Sequence, residues 1–202
     1  MESRTHPKLK QTSKAEKMQK VAEGTMKVLS TQGHSGITFS NVAKASGVSR
    51  PWLYKYFGCS DQALLDFMTE TFATSWGKTE MVSNARTPRR WVRETMDGYS
   101  AFLDAAVESP WVMTLYFRHR GTQTSLGLKI KSLEDHYIQA QADSVQAATG
   151  FPAAQAKLVS EVLLGVRLGL AHRWVFGGIR KTTSKNNFLR FLTYTLQSLI
   201  RQ

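Results

Sequence analysis

The stretch Thr38-Phe39-Ser40-Asn41-Val42-Ala43-Lys44-Ala45-Ser46-Gly47-Val48-Ser49-Arg50-Pro51-Trp52-Leu53-Tyr54-Lys55-Tyr56-Phe57 decides the fold. It reads as two short helices with a turn between them. Thr38 offers an N-cap oxygen to a helix from Phe39 to Ser46, and Gly47 ends that helix. Ser49 is placed to cap a second helix, Arg50 to Phe57, with Pro51 in its first turn, where no N–H is needed. Two helices joined by a Gly-containing turn make a helix–turn–helix. Val42 and Ala43 give the first helix an apolar face, and Ala43 is small enough for a close crossing. Gly47 can take the positive φ that the turn needs. Val48 plugs the angle between the helices, while Leu53 and Phe57, one helical turn apart, anchor the second helix inward.

That leaves Arg50, Trp52, Tyr54, Lys55 and Tyr56 for the outer face. The mixture suits a DNA groove. Arginine reads guanine edges, aromatic rings meet sugar and thymine methyl, and lysine meets phosphate. The helix N-termini at Thr38 and Ser49 point N–H groups at the same backbone. The expected DNA-binding set is Thr38, Ser49, Arg50, Pro51, Trp52, Tyr54, Lys55, Tyr56 and Ser60. Within it, Thr38, Ser49, Tyr54, Lys55 and Ser60 would hold phosphates, and Arg50, Trp52 and Tyr56 would reach bases or sugars. Trp52 and Tyr54 also read as packing residues, and the sequence leaves both readings open.

Outward from this segment the chain reads as helix throughout. Ser13 and Glu16 form a capping box for a helix to about Thr31, and Gln32-Gly33-His34-Ser35-Gly36 stops it. After the turn at Gly58-Cys59, Ser60 or Asp61 starts a longer helix to about Met81. Five more helical stretches follow, near 89–108, 110–120, 123–149, 152–176 and 184–201, separated by Gly and Pro. No strand-length alternation appears. The expectation is an all-α chain of about nine helices. Residues 1–13 would be a flexible basic tail, 14–60 the helix–turn–helix head, and 61–202 a helical dimerisation and ligand-binding domain.

Charge agrees with that division. The chain of 202 residues carries 27 Lys plus Arg against 15 Asp plus Glu, a net +12. Residues 1–60 hold ten of the cations and three of the anions. A basic excess concentrated there points to a polyanion, nucleic acid or an acidic surface. Cys59 is the one cysteine, which excludes an internal disulfide and multi-cysteine zinc sites. The first 20 residues are polar and basic, with no leader-like apolar run, and no run is long enough to span a membrane. The expected location is the cytoplasm.

At these residues the chain resembles the TetR family of bacterial transcriptional regulators. The resemblance runs from about Met18 to Leu65 through Gly33, Thr38, Val42-Ala43, Ala45, Gly47-Val48-Ser49, Leu53-Tyr54 and Tyr56-Phe57. It is more specific than a generic helix–turn–helix, yet it covers only about a quarter of the chain; beyond it only length and helical layout agree. The resemblance implies that the second short helix enters the major groove of a palindromic operator. It implies C-terminal helices that pair in a homodimer and often enclose a small molecule whose binding releases DNA. It also implies repression as the usual outcome. Three positions depart from the family pattern. Ser60 stands where members often have a phosphate-contacting lysine, Leu64 replaces a leucine usual near Ala63, and Trp52 is bulkier than the usual residue.

The C-terminal helices carry two apolar stripes: Leu158, Val159, Val162, Leu163, Val166, Leu170 and Trp174, then Phe188, Phe191, Leu192, Thr195, Leu196 and Leu199. Gly165 and Gly169 would let helix backbones approach closely. From the resemblance, Val162, Gly165, Val166, Gly169, Phe188, Phe191, Leu192 and Leu196 are expected at a two-fold interface, although part of each stripe must serve the chain's own core. For a ligand cavity the middle helices offer Trp111, Met113, Tyr116, Phe117, His119, Tyr137, Arg167 and Trp174. Such residues are also ordinary core.

Enzyme chemistry finds no motif. The five histidines are scattered, and no phosphate-binding glycine loop or metal-ligand spacing occurs. No cofactor or metal is expected. Three functions remain: a ligand-responsive repressor, a regulator of the same fold governed by abundance or a protein partner, and a helical module whose basic face meets membrane or protein. A redox role for Cys59 is a further reading.

Overall fold

The computed structural model describes residues 13–77, 82–177 and 182–200. Among them the chain is all-α, with nine α-helices, one short 3-10 turn and no strand. The helices are α1 (Lys14–Gln32), α2 (Phe39–Ser46), α3 (Arg50–Phe57), α4 (Asp61–Gly77), α5 (Pro88–Glu108), α6 (Pro110–His119), α7 (Ser125–Thr149), α8 (Ala153–Phe176) and α9 (Thr182–Ile200). Most of the tail, residues 1–12, and the expected end of α4 at Met81 lie outside the described residues. The chain divides into two compact units, Met1–Met68 and Thr69–Gln202, with the boundary inside α4.

The head starts from its caps. The Ser13 N–H donates to Glu16 Oε2 at 2.7 Å and the Glu16 N–H to Ser13 Oγ at 3.2 Å, so the capping box closes both ways. Thr38 Oγ1 accepts from the Asn41 N–H at 3.2 Å and starts α2. Ser49 stands at the N-cap of α3, but its hydroxyl makes no capping bond, contrary to the sequence reading. Pro51 has no N–H and its ring presets the first turn, so α3 forms without that bond. Gly47 sits at φ 67°, ψ 18°, the left-handed conformation the turn requires.

The core of the head is Val21, Ala22, Met26, Leu29, Ile37, Val42, Val48, Leu53, Leu64 and Met68, all buried. Each fully buried aliphatic side chain stabilises by about 1.5–3 kcal/mol. α1 and α2 cross closely, where a Cβ on Gly24 would stand 2.8 Å from Cβ of Ser46. The Asn41 amide also donates to the carbonyl of Gly36 at 2.9 Å, which ties α2 to the turn after α1.

The second unit has its own core. Trp91, Val92, Met96 and Tyr99 of α5 meet Ala142, Val145 and Ala148 of α7, Ala156 and Leu163 of α8, and Leu192 and Leu196 of α9. The Tyr99 hydroxyl donates to the carbonyl of Leu163 at 2.5 Å, fixing α5 to α8. Lys185 Nζ reaches Asp104 Oδ1 at 2.7 Å and joins α9 to α5. Ser83 Oγ donates to Glu94 at 2.7 Å, and Ser144 Oγ donates to the Ser83 carbonyl, so the segment before α5 is pinned from two helices.

Candidate nucleic-acid interface

α3 presents the expected outer face. Leu53 points inward and is fully buried, and the Phe57 ring lies 5.2 Å from that of Phe67. On the other side, Ser49, Arg50, Pro51 and Lys55 are exposed, and so is Ser60 beyond the helix. Thr38 is half-buried because its hydroxyl caps α2; the oxygen accepts there, and the O–H remains able to donate to a phosphate. The Ser49 side chain consumes no α3 N–H, so the N–H groups of Arg50 and Trp52 lie at an open helix N-terminus.

The aromatics divide between the flanks of α3. The Tyr54 ring stacks on Phe39 of α2 at 4.5 Å and 10°, while 39% of the residue stays exposed. Tyr54 therefore packs against Phe39, in line with its packing reading, and keeps part of its surface exposed. Trp52 and Tyr56 are half-buried and lie against each other, centroids 4.3 Å apart and tilted by 41°. Lysines of α1 approach the same rings. Lys14 Nζ is 4.8 Å from the Tyr56 centroid and Lys17 Nζ 5.9 Å from that of Trp52. Sequence reasoning missed these two residues. They lie more than 30 positions before α3, and only the folding of the head brings them to its rings.

The head matches a model of bacterial regulatory proteins of the tetR family over residues 21–66. Over these residues the head is similar to the TetR family. No curated protein matches by sequence. The whole fold recurs in solved TetR-type structures. A TetR-like transcriptional regulator from Rhodococcus sp. RHA1 is 20% identical, with a TM-score of 0.67 over 91% of this chain and 97% of that one. The fatty acid degradation regulator FadR from Bacillus halodurans is 16% identical, with a TM-score of 0.65 over 95% and 96%. A TetR transcriptional regulator from Chloroflexus aurantiacus is 14% identical, with a TM-score of 0.67 over 93% and 96%. The sequence resemblance seen from about Met18 to Leu65 is thus joined by a likeness of fold along the chain.

In the second unit the residues expected around a ligand are scattered by depth. Met113, Tyr116, His119, Tyr137, Arg167 and Trp174 are buried, Trp111 is half-buried, and Phe117 is exposed. The Tyr116 hydroxyl donates to Glu134 Oε1, which also takes Arg120 Nε at 2.8 Å. Burial and this carboxylate raise the Tyr116 hydroxyl well above the ordinary tyrosine range. The Arg167 guanidinium lies 4.0 Å from the Phe102 centroid and 5.0 Å from that of Tyr137. Trp76, Phe102 and Met113 line a cavity of about 190 Å³.

A second cleft, about 420 Å³, opens between α5, α8 and α9 and is lined by Leu103, Gly165, Val166, Gly169, Trp174 and Phe188 among others. Beside it Leu158, Val162, Phe191 and Tyr194 stand more than half exposed. Leu192 and Leu196, expected at a partner, are instead buried in the protomer core, because α9 packs on α5 and the two leucines join the cluster that holds Trp91. The α8 stripe splits likewise: Leu163 and Trp174 face inward, Leu158 and Val162 outward. Among the described residues no three His, Cys, Asp or Glu side chains come together as a metal set, and Cys59 is exposed. No helix among them is long and apolar enough to cross a membrane.

Proposed function

We propose that the protein is a dimeric regulator that reads a palindromic duplex through α3 and represses by occupying it. The observation that carries this reading is the outer face of α3. Arg50, Pro51 and Lys55 point away from the head, beside an open helix N-terminus, on a head similar to the TetR family. A membrane- or protein-binding module would be favoured by an occluded α3 or inward-turned basic residues; within the head neither is present. Two recognition helices in successive major grooves would stand ~34–36 Å apart.

Dimerisation is supported by the outward faces of α8 and α9. Leu158, Val162, Phe191 and Tyr194 form an exposed apolar surface. Such a surface suits an isologous contact between two copies. Release by a small molecule would need the cavity beside Trp76 and Phe102 to widen, since its roughly 190 Å³ is smaller than the ~300–1,000 Å³ of usual ligand sites. The second reading, control without a small molecule, is favoured by the complete burial of Met113, Tyr116 and Tyr137 in side-chain packing.

The test is capture of genomic fragments by the purified protein at about 0.15 M salt, where electrostatic binding alone is weakened. Enrichment of a palindrome beside a promoter is expected. Uniform, salt-sensitive recovery of all fragments would remove sequence reading.

A further inference from the structure

The rings of Trp52 and Tyr56 are more than flank packing. They sit one turn apart on α3 and touch at 4.3 Å, so they make one apolar surface rather than two. Lys14 and Lys17, three residues apart on α1, bring their ammonium groups to 4.8 Å and 5.9 Å from these rings. Lys55 Nζ stands 5.6 Å from the Tyr56 centroid. The lysines come from a fixed turn, because the Ser13–Glu16 capping box holds the start of α1. Among the described residues neither Lys14 nor Lys17 makes an ion pair. An apolar surface ringed by cations fits a partner that is apolar at one point and anionic around it.

Duplex DNA has that pattern. Base faces are stacked and closed, and the apolar group displayed on base edges in the major groove is the thymine 5-methyl, flanked by phosphates. We propose that Trp52 and Tyr56 form a platform for a thymine methyl in each half-site. Lys14 and Lys17 are positioning residues that seat the rings and neutralise the neighbouring phosphates. The proposal rests on the DNA-binding reading and adds α1 to the interface.

The experiment starts with selection of a duplex from a random-sequence pool by the full-length protein. The selected duplex is then resynthesised with each thymine replaced in turn by deoxyuridine, which deletes the methyl and keeps base pairing. One thymine per half-site is expected to lose about fourfold in affinity when replaced, the size of burying one methyl. In Trp52→Ala that penalty disappears; Trp52→Leu, which keeps an apolar side chain, serves if the alanine variant folds poorly. The double variant Lys14→Met, Lys17→Met is expected to lower the salt slope by about two for each head and to shrink the methyl penalty to below twofold. A purely structural role for these lysines would leave both readouts unchanged. If every deoxyuridine duplex binds the wild type within twofold of the parent, the platform is overturned while DNA reading stands. If no duplex is enriched, the DNA reading falls and the platform falls with it.

Discussion

Lys55 and Arg50 stand on one exposed face of α3 yet differ in what they can read. A lysine ammonium is a point charge that meets phosphate, whereas a guanidinium matches the O6 and N7 of guanine in a fork. Lys55→Ala is therefore expected to weaken binding to all duplexes alike. Arg50→Ala is expected to cost about 1–3 kcal/mol of discrimination at each base pair it reads. Equilibrium titrations with matched and single-mismatch duplexes check this; equal weakening of every duplex by Arg50→Ala would make Arg50 a phosphate contact. Gly24 carries a prediction of the opposite kind. Alanine gains about 1 kcal/mol over glycine in a helix. A Cβ 2.8 Å from Ser46 forces overpacking of about 1–3 kcal/mol. Gly24→Ala should lower the unfolding midpoint in urea, while Gly165→Ala, with open space around it, should not strain the protomer.

The short helices were legible because their punctuation is local. Thr38, Gly47, Ser49 and Gly58 are each read from neighbours within four residues, and α2 and α3 begin and end where those residues place them. What was not legible depends on contacts across the chain. Nothing near Lys14 or Lys17 announces Trp52 and Tyr56. Nothing in the α9 stripe says that Leu192 and Leu196 join the cluster that holds Trp91 while Phe191 faces outward. Helical periodicity marks an apolar side but not which neighbour covers it.

Elements of the second unit also set a pH limit. Burial raises the hydroxyl of Tyr99 well above its ordinary value, and burial together with Glu134 raises that of Tyr116. In the folded chain both stay protonated where the unfolded chain ionises, near pH ~10. Their contribution is complete below that pH and is lost as pH rises above it. Urea midpoints measured from about pH 8 to 11.5 should fall steeply above pH ~10. The fall should be shallower in Tyr116→Phe, and an identical slope would show that this hydroxyl is not what titrates.

For the whole molecule, the account needs two heads held by one interface. The outward surface of α8 and α9 is the place for it, so Val162→Arg, at a side chain 56% exposed in the protomer, should leave the protomer folded by circular dichroism. Sedimentation should then show monomers, and weaker DNA binding should follow, because each head alone reaches one half-site. A dimer that survives Val162→Arg would move the interface elsewhere. The cationic excess of residues 1–60 supplies affinity for any duplex, so affinity alone does not establish reading.

The most direct measurement is a ratio. The purified protein is titrated at about 0.15 M salt with the palindrome it enriches and with a scrambled duplex of the same composition. Reading through α3 predicts that the palindrome binds tighter by about a thousandfold or more. A ratio within tenfold would contradict the account and leave a basic helical head that holds DNA without reading it.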